Sequence, residues 1–155
     1  MKKLCAFLFL IALVAQAAVV RLAPNFTWDG PPGANSLRAV RGQTVVLVIA
    51  KSARSRAFRA QLKKLDDLYH EFASRKVVFA AALADGSTDV PSNIPFALAR
   101  NGAEVATAFE AGDGFQIVLI GRDGNVDYQT DRVLPASRVR EVLMNSFVEQ
   151  EDRRK

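Results

Sequence analysis

A short polar stretch between an apolar run and an amphipathic run carries the side chains best suited to chemistry. It contains two hydroxyls and three cations, at Lys51, Ser52, Arg54, Ser55 and Arg56. At the start of a helix the first backbone N–H groups lack a partner within the helix, and they attract anions. The stretch could therefore hold a phosphate, sulfate or carboxylate, with Ser52 or Ser55 as the helix cap. A serine-capped helix with solvated arginines is the simpler interpretation, because such caps are common.

Two residue types that often carry catalysis occur once each, as Cys5 and His70. Loss of Cys5 with an N-terminal leader leaves no thiol for disulfides, thiol catalysis or a cysteine–zinc site. His70 lies on a predicted helix near Asp66 and Glu71, but one histidine without further partners does not make a metal site. Along that helix it is roughly 22 Å from Ser55 at 1.5 Å per residue, too far to serve as its base. We therefore assign no catalytic residue and expect no metal and no cofactor.

The first 17 residues have the composition of a secretory signal peptide. Two lysines precede an apolar run over residues 4–14, and residues 15–17 (AQA) match the small-x-small cleavage rule. We predict cleavage after Ala17 and a periplasmic or secreted protein. An uncleaved membrane anchor is the alternative, although the run is shorter than the about 18 to 20 apolar residues of a typical span. A lipoprotein is disfavoured because Cys5 lies at the beginning of the apolar run instead of at its end.

The rest of the chain has the composition of one domain, predicted over residues 18–148, with a charged tail at 149–155. Hydrophobic residues make up 50% of the whole sequence and charged residues 24%, values typical of a soluble globular domain. The formal charge of +5 falls by two, to +3, when Lys2 and Lys3 leave with the signal peptide. Such a small charge gives no argument for nucleic acid binding. No membrane contact is expected after cleavage, and the oligomeric state stays open.

A strand and a helix frame the polar stretch. Residues 44–50 are an unbroken, mostly β-branched run, typical of a strand that is buried on both faces of a sheet. Residues 55–74 predict a helix, because apolar side chains recur at spacings of four, three, four and three. These side chains are Phe58, Leu62, Leu65, Tyr69 and Phe72. Residues 76–83 predict a second buried strand, and the strand-helix-strand order implies a right-handed crossover between parallel strands.

The second half of the chain predicts shorter elements, in which polar turns alternate with apolar runs. In order they are a polar loop at 85–93, an extended piece at 95–98, a turn at Asn101 and Gly102, a helix at 104–110, strands at 115–120 and 125–130 joined by an Asp-Gly turn, and a helix at 135–147. Trp28 is predicted to close one end of the core, with a place on a binding surface as the alternative. Together the elements indicate an α/β fold with a central mixed sheet of four to five strands and helices on both faces.

Several of these segments resemble the thioredoxin-like superfamily, in the same order along the chain. They are similar to the opening, the approach to the active-site strand, the middle helix and the final hairpin of peroxiredoxins and periplasmic thiol-disulfide oxidoreductases, at residues 23–26, 37–47, 104–109 and 118–124. Residues 49–62 and 115–124 look closest to a cysteine-less bacterial thioredoxin-like domain of unknown function, which also occurs in a vertebrate extracellular-matrix protein. The resemblance implies a thioredoxin-like three-layer sandwich.

The same resemblance aligns the redox centre of the superfamily with residues that cannot perform its chemistry. Its Cys-x-x-Cys motif would align with residues 54–57 (RSRA), and its cis-proline with Phe115. Peroxide reduction needs a thiolate nucleophile, which a serine hydroxyl cannot replace. We therefore expect an exported, redox-inactive domain that binds a protein or peptide through residues 52–56, Phe115 and the loops near Asp85 and Gly114. Anion or small-ligand binding at the same turn and a divergent oxidoreductase are the alternatives.

Overall fold

The structure is a computed structural model of the 155-residue chain, and it describes residues 20–30, 35–72 and 74–152. In chain order these residues form the 3-10 helix Arg38–Val40, β1 (Thr44–Ala50), α1 (Arg56–Phe72), β2 (Val77–Leu83), β3 (Ala97–Leu98), α2 (Gly102–Ala108), β4 (Gln116–Ile120), β5 (Val126–Thr130) and α3 (Ala136–Asp152). The predicted signal peptide at 1–17 lies outside the described residues. Within them, no helix is long and apolar enough to cross a membrane.

The five strands form one mixed sheet in the order β3-β2-β1-β4-β5. The central strand β1 runs parallel to β2 and antiparallel to β4, so that Val48 lies between Ala81 and Ile117. All seven residues of β1 are buried, as expected for a β-branched run at the centre of a sheet. The parallel crossover, the antiparallel hairpin β4–β5 and the α/β class are therefore confirmed.

A hydrophobic core fills each face of the sheet, because alternate residues of β1 point to opposite sides. Val46 and Val48 contribute to the core under α1 and α3. Val45 and Leu47 contribute to the other core, which contains residues of α2 and of the N-terminal segment. This arrangement confirms the predicted three layers, with helices on both faces of the sheet.

Helix α1 shows the predicted apolar stripe, but its buried face is wider than the stripe. Phe58, Leu62, Leu65 and Phe72 are buried and Tyr69 is half-buried. The additional buried residues are Leu68 and Gln61. The Gln61 amide donates to the carbonyl oxygen of Leu134 at 3.2 Å, and its own oxygen accepts from the Leu134 N–H at 2.7 Å. The side chain thus pairs two buried backbone groups in the segment that leads into α3.

Substitution of Gln61 by leucine is expected to lower the free energy of unfolding by about 2 kcal/mol, because both backbone groups of Leu134 then lose their partner in a buried site. Urea unfolding followed by circular dichroism measures this loss. Lys64→Leu serves as the control, since Lys64 is exposed on the same helix and its replacement is expected to change stability by less than about 0.5 kcal/mol. Equal stabilities for the two variants would contradict the role of Gln61.

Two predicted boundaries in the second half were wrong. Asn101 does lie in a turn, as predicted, and caps α2, its side-chain oxygen accepting from the Glu104 N–H at 3.3 Å; Gly102, however, is already the first helical residue. Helix α3 continues beyond Phe147 to Asp152, into the stretch predicted as a charged tail. Both differences lengthen or shift helices, which sequence patterns define least well at their ends.

The N-terminal segment lies beside the β4–β5 hairpin, where β5 is the outermost strand. The Ala23 N–H donates to the carbonyl oxygen of Gly124 at 3.0 Å, and the Val126 N–H donates to that of Arg21 at 2.8 Å. Further along, Trp28 is completely buried, in the core on the α2 side of the sheet. The prediction that the Trp28 side chain belongs to the core is confirmed.

Candidate functional site

The turn after β1 and the polar loop after β2 are held side by side at one end of the sheet. The Ala84 N–H donates to the carbonyl oxygen of Ala50 at 3.0 Å, and the Asp85 N–H donates to that of Lys51 at 2.9 Å. These bonds continue the parallel pairing of β1 with β2 beyond the strand ends. The carboxyl ends of parallel strands meet at the same sheet edge, which is where α/β folds commonly place a binding site.

The hydroxyl of Ser52 closes the turn from within. It accepts a hydrogen bond from the Arg54 N–H at 3.0 Å, while the Ser55 N–H donates to the carbonyl oxygen of Ser52 at 3.1 Å. The carbonyl oxygen of Ser55 then accepts from the Arg59 N–H at 3.1 Å, which begins the helical pattern of α1. Ser52 is therefore a turn-forming residue whose side chain is already engaged with the backbone.

Two adjoining surface cavities separate α1 from the polar loop. The first, of about 580 Å³, is lined by Ser52, Ala53, Arg54, Arg59, Asp85, Ser87, Thr88, Asp89 and Pro91. The second, of about 460 Å³, is lined by Arg59, Leu62, Lys63, Asp66, Pro91, Ser92 and Asn93. Arg59 and Pro91 border both cavities, so that the two form one continuous trough, named here the α1–loop groove.

The α1–loop groove carries charges of both signs. Arg54 and Arg59 approach it from the turn and the helix, and Asp85 and Asp89 approach it from the loop. The carboxylate of Asp85 accepts from the Ser87 N–H at 2.9 Å and from the Ser87 hydroxyl. These bonds lower the pKa of Asp85, with a smaller contribution from the Ser52 hydroxyl, because they stabilise the charged form. The Asp85 side of the groove is therefore anionic at neutral pH.

Some of the residues predicted for the site line the groove and others do not. Ser52 and Arg54 line it, together with the loop near Asp85 that was expected to share this face. Lys51 and Arg56 are exposed on the same turn but line neither cavity. Ser55 is half-buried and also lies outside both cavities.

Phe115 directly precedes β4, whose Gln116 pairs with Ile49, so it lies at the same end of the sheet as the groove. It is half-buried and packs against the core under α1 and α3. Residues 111–114, before it, form an exposed turn in which the Gly114 N–H donates to the carbonyl oxygen of Ala111. Neither Phe115 nor this turn lines the groove.

Two further lining residues, Arg59 on α1 and Asp89 in the loop, were not predicted from the sequence. Arg59 lies four residues after Ser55 on α1, so its position relative to the turn follows from helical spacing. The sequence of the loop at 85–93 has no comparable pattern that would predict its conformation. His70 is exposed near the far end of α1, and the described residues contain no group of three or more metal-ligating side chains.

Of the two positions that would align with the cysteines of a Cys-x-x-Cys motif, Arg54 lines the groove and Ala57 lies outside it. Arg54 is exposed in the turn, and Ala57 is half-buried in the first turn of the helix. No residue between 20 and 152 is a cysteine, since the single cysteine of the sequence is Cys5. What this site offers a ligand is therefore hydrogen bonds, charge and a small apolar floor at Ala53 and Leu62.

The solved structures that share this fold include proteins described as a thiol:disulfide interchange protein and a thioredoxin peroxidase. A Chlorobium tepidum protein described as a thiol:disulfide interchange protein DsbE is 18% identical, with a TM-score of 0.67, and the match covers 82% of this chain and 96% of that one. Thioredoxin peroxidase I from Plasmodium yoelii is also 18% identical, with a TM-score of 0.64 and coverage of 87% and 92%. StoA from Bacillus subtilis is 13% identical, with a TM-score of 0.60 and coverage of 78% and 97%.

The sequence comparisons add nothing to these structural matches, because no protein-family model and no curated protein matches the chain. The closer resemblance to a cysteine-less domain stays a prediction. TM-scores of 0.60 to 0.67 with nearly complete coverage of the matched structures show a shared fold, and identities of 13 to 18% show no more than that. This chain has the thioredoxin-like fold.

Proposed function

We propose that the chain is an exported, redox-inactive binding module that holds an extended protein or peptide segment in the α1–loop groove. The observation that carries the proposal is the intact strand-turn-helix frame with Arg54 and Ala57 at the positions of the redox motif. This strand-turn-helix element leaves the position of the superfamily's redox motif open to a ligand. The side chains at that position can bind a ligand but cannot transfer electrons. The predicted signal peptide at 1–17 supports export.

The composition of the groove supports a peptide over a small anion. A peptide main chain presents both donors and acceptors, and Ser87 and Thr88 beside the four charged side chains can pair with either kind of group. An isolated anion at the turn would instead meet the carboxylates of Asp85 and Asp89, which line the same cavity as Arg54. Ala53 and Leu62 provide apolar surface for one or two side chains of the ligand.

A phage-displayed library of unstructured peptides, panned on the full-length protein, tests this function. Calorimetric titration of a selected peptide is then repeated with Arg59→Gln and with Asp85→Asn. We expect each substitution to weaken binding about tenfold, since a hydrogen bond to a charged group contributes about 1.5 to 3 kcal/mol. Because the pKa of Asp85 is lowered, its contribution is expected to be constant above neutral pH.

Lys64→Gln and Asp67→Asn are the matched controls, because both residues are exposed on α1 and line neither part of the groove. We expect both to bind the selected peptide with unchanged affinity. Failure to enrich any peptide, or an equal loss of binding in the controls, would refute a peptide site in the groove. Reduction of insulin disulfides by the protein would refute the redox-inactive part of the proposal.

A further inference from the structure

Five cationic side chains gather at the end of the sheet opposite the α1–loop groove. They are Arg38, Arg41, Arg75, Lys76 and Arg122, and the surface they form is named here the basic pole. All are exposed except Arg122, which is half-buried. Strand β1 starts at this end, where the Thr44 N–H donates to the carbonyl oxygen of Lys76. The seven residues of β1 separate the two ends by about 20 Å.

Backbone contacts and the hairpin turn bring Arg38, Arg41 and Arg122 together. The Arg122 guanidinium donates to the carbonyl oxygen of Gly42 at 2.9 Å, and the Gly42 N–H donates back to the carbonyl oxygen of Arg122 at 2.9 Å. The Arg41 guanidinium lies over Gly124 of the hairpin turn. Arg38 and Arg41 also line a cavity of about 380 Å³ with Leu22 and Gly124.

Arg75 joins this surface through an aromatic ring of α3. The guanidiniums of Arg75 and Arg122 lie 5.4 Å and 5.6 Å from the centre of the Phe147 ring, where cation–π attraction holds both. Within the described residues, the carboxylates of Glu71, Asp123 and Asp127 lie near the pole. Glu71 is paired with Arg140, Asp123 accepts from Asn125, and Asp127 accepts from the Ser146 hydroxyl. These carboxylates are fewer than the cations of the pole, so its described residues carry an excess of positive charge.

Exposed apolar side chains at the same end provide a second, independent observation. Val20 and Leu22 are 73% and 58% exposed, and they are the large hydrophobic residues that stand out to solvent within the described residues. Leu22 borders the cavity that Arg38 and Arg41 line. Apolar and cationic groups thus occur together where the chain enters the fold.

We propose that the basic pole rests on an anionic lipid surface, with its cations on the headgroup phosphates and Val20 and Leu22 at the interface. Arginine and lysine near an anionic bilayer gain favourable electrostatic energy, and adjacent apolar side chains add to it. This revises the expectation of no membrane contact, which considered only the total charge and not its distribution. Bound in this way, the domain directs the α1–loop groove away from the lipid surface.

Binding of the full-length protein to vesicles tests the proposal, with phosphatidylcholine vesicles compared with vesicles that also contain phosphatidylglycerol. The ratio of the two affinities cancels any binding through residues 4–14 that does not depend on lipid charge. We expect a preference for the anionic vesicles that weakens with salt. Arg38→Gln with Arg41→Gln is expected to reduce the preference roughly tenfold or more.

Arg54→Gln with Arg59→Gln is the matched control, because it removes the same charge from the opposite end and is expected to leave the preference unchanged. Val20→Ser with Leu22→Ser is expected to weaken binding to anionic vesicles while keeping its salt dependence. An equal affinity of the parent protein for both vesicles, or an equal loss in the Arg54 and Arg59 control, would overturn the proposal. So would binding of heparin at the basic pole without any preference for anionic vesicles. Circular dichroism establishes that every variant is folded.

Discussion

Replacement of Gly102 by alanine is expected to lower the free energy of unfolding by about 3 kcal/mol or more. Gly102 is the first residue of α2 and is buried against the end of β2. A Cβ atom there would lie 2.1 Å from the carbonyl oxygen of Leu83, 2.4 Å from its carbonyl carbon and 2.5 Å from its nitrogen. All three are backbone atoms, so no side-chain rotation relieves the contacts and the helix must move away from the sheet. Urea unfolding measures the loss of stability.

Gly86→Ala separates this clash from the general effect of replacing a glycine. Gly86 has a φ of +75°, and an added Cβ would meet no atom within 4 Å, so we expect only the cost of the left-handed backbone, about 1 to 2 kcal/mol. Equal losses in the two variants would show that α2 and β2 do not approach as closely as described. Leu83 lies two residues before Asp85, so we also expect folded Gly102→Ala protein to bind the selected peptide more weakly.

Truncation of Trp28 to alanine is expected to lower the free energy of unfolding by about 3 to 5 kcal/mol, the usual range for a large aromatic residue in a core. Trp28 is fully buried. Its ring lies 5.7 Å from that of Phe26, which in turn lies 6.4 Å from the ring of Phe109. Removal of the indole therefore takes away the largest member of an aromatic cluster between the sheet and α2. Circular dichroism must follow the unfolding, because Trp28 is the only tryptophan in the sequence.

Trp28→Phe distinguishes lost volume from lost hydrogen bonding. The indole Nε1 is buried and makes no hydrogen bond within the described residues. The phenylalanine variant therefore lacks an unpaired donor whose burial costs free energy. We expect Trp28→Phe to lose about 1 to 2 kcal/mol, clearly less than Trp28→Ala. If the phenylalanine variant loses as much as the alanine variant, a hydrogen bond from Nε1 is present and the packing argument for Trp28 is wrong.

The elements that the sequence predicted well are those whose pattern has a single physical cause. The run at 44–50 became β1 with the same limits, because a β-branched sequence buried on both faces has few other conformations. The spacing of apolar side chains predicted α1 in the same way. Gly102 was wrongly predicted as a turn residue because Asn-Gly is typical of turns. The actual reason for glycine is the approach of Leu83, a residue 19 positions earlier, which no local pattern contains.

The sequence located the candidate site but not the side chains that line it. The turn after β1 and the loop near Asp85 were predicted to share a face because parallel strands end at the same edge of a sheet. Whether Arg59 or Arg56 points toward the loop depends on the rotation of α1 and on the path of residues 85–93, which tertiary packing determines. The basic pole was missed for a related reason. Its cations come from three segments that are far apart in the sequence, and the net charge of the whole chain does not show that they lie together.

The hydrogen bonds of Arg21 and Ala23 to the hairpin have a practical consequence for trimmed forms of the protein. These two residues occupy bonding groups at the start of β5, the outermost strand. A recombinant chain beginning at Pro24 would leave those groups open to a strand from another molecule, which is a common route to aggregation. Cleavage at the predicted site, after Ala17, would keep them covered, so we expect a soluble preparation to require the few residues that follow that site.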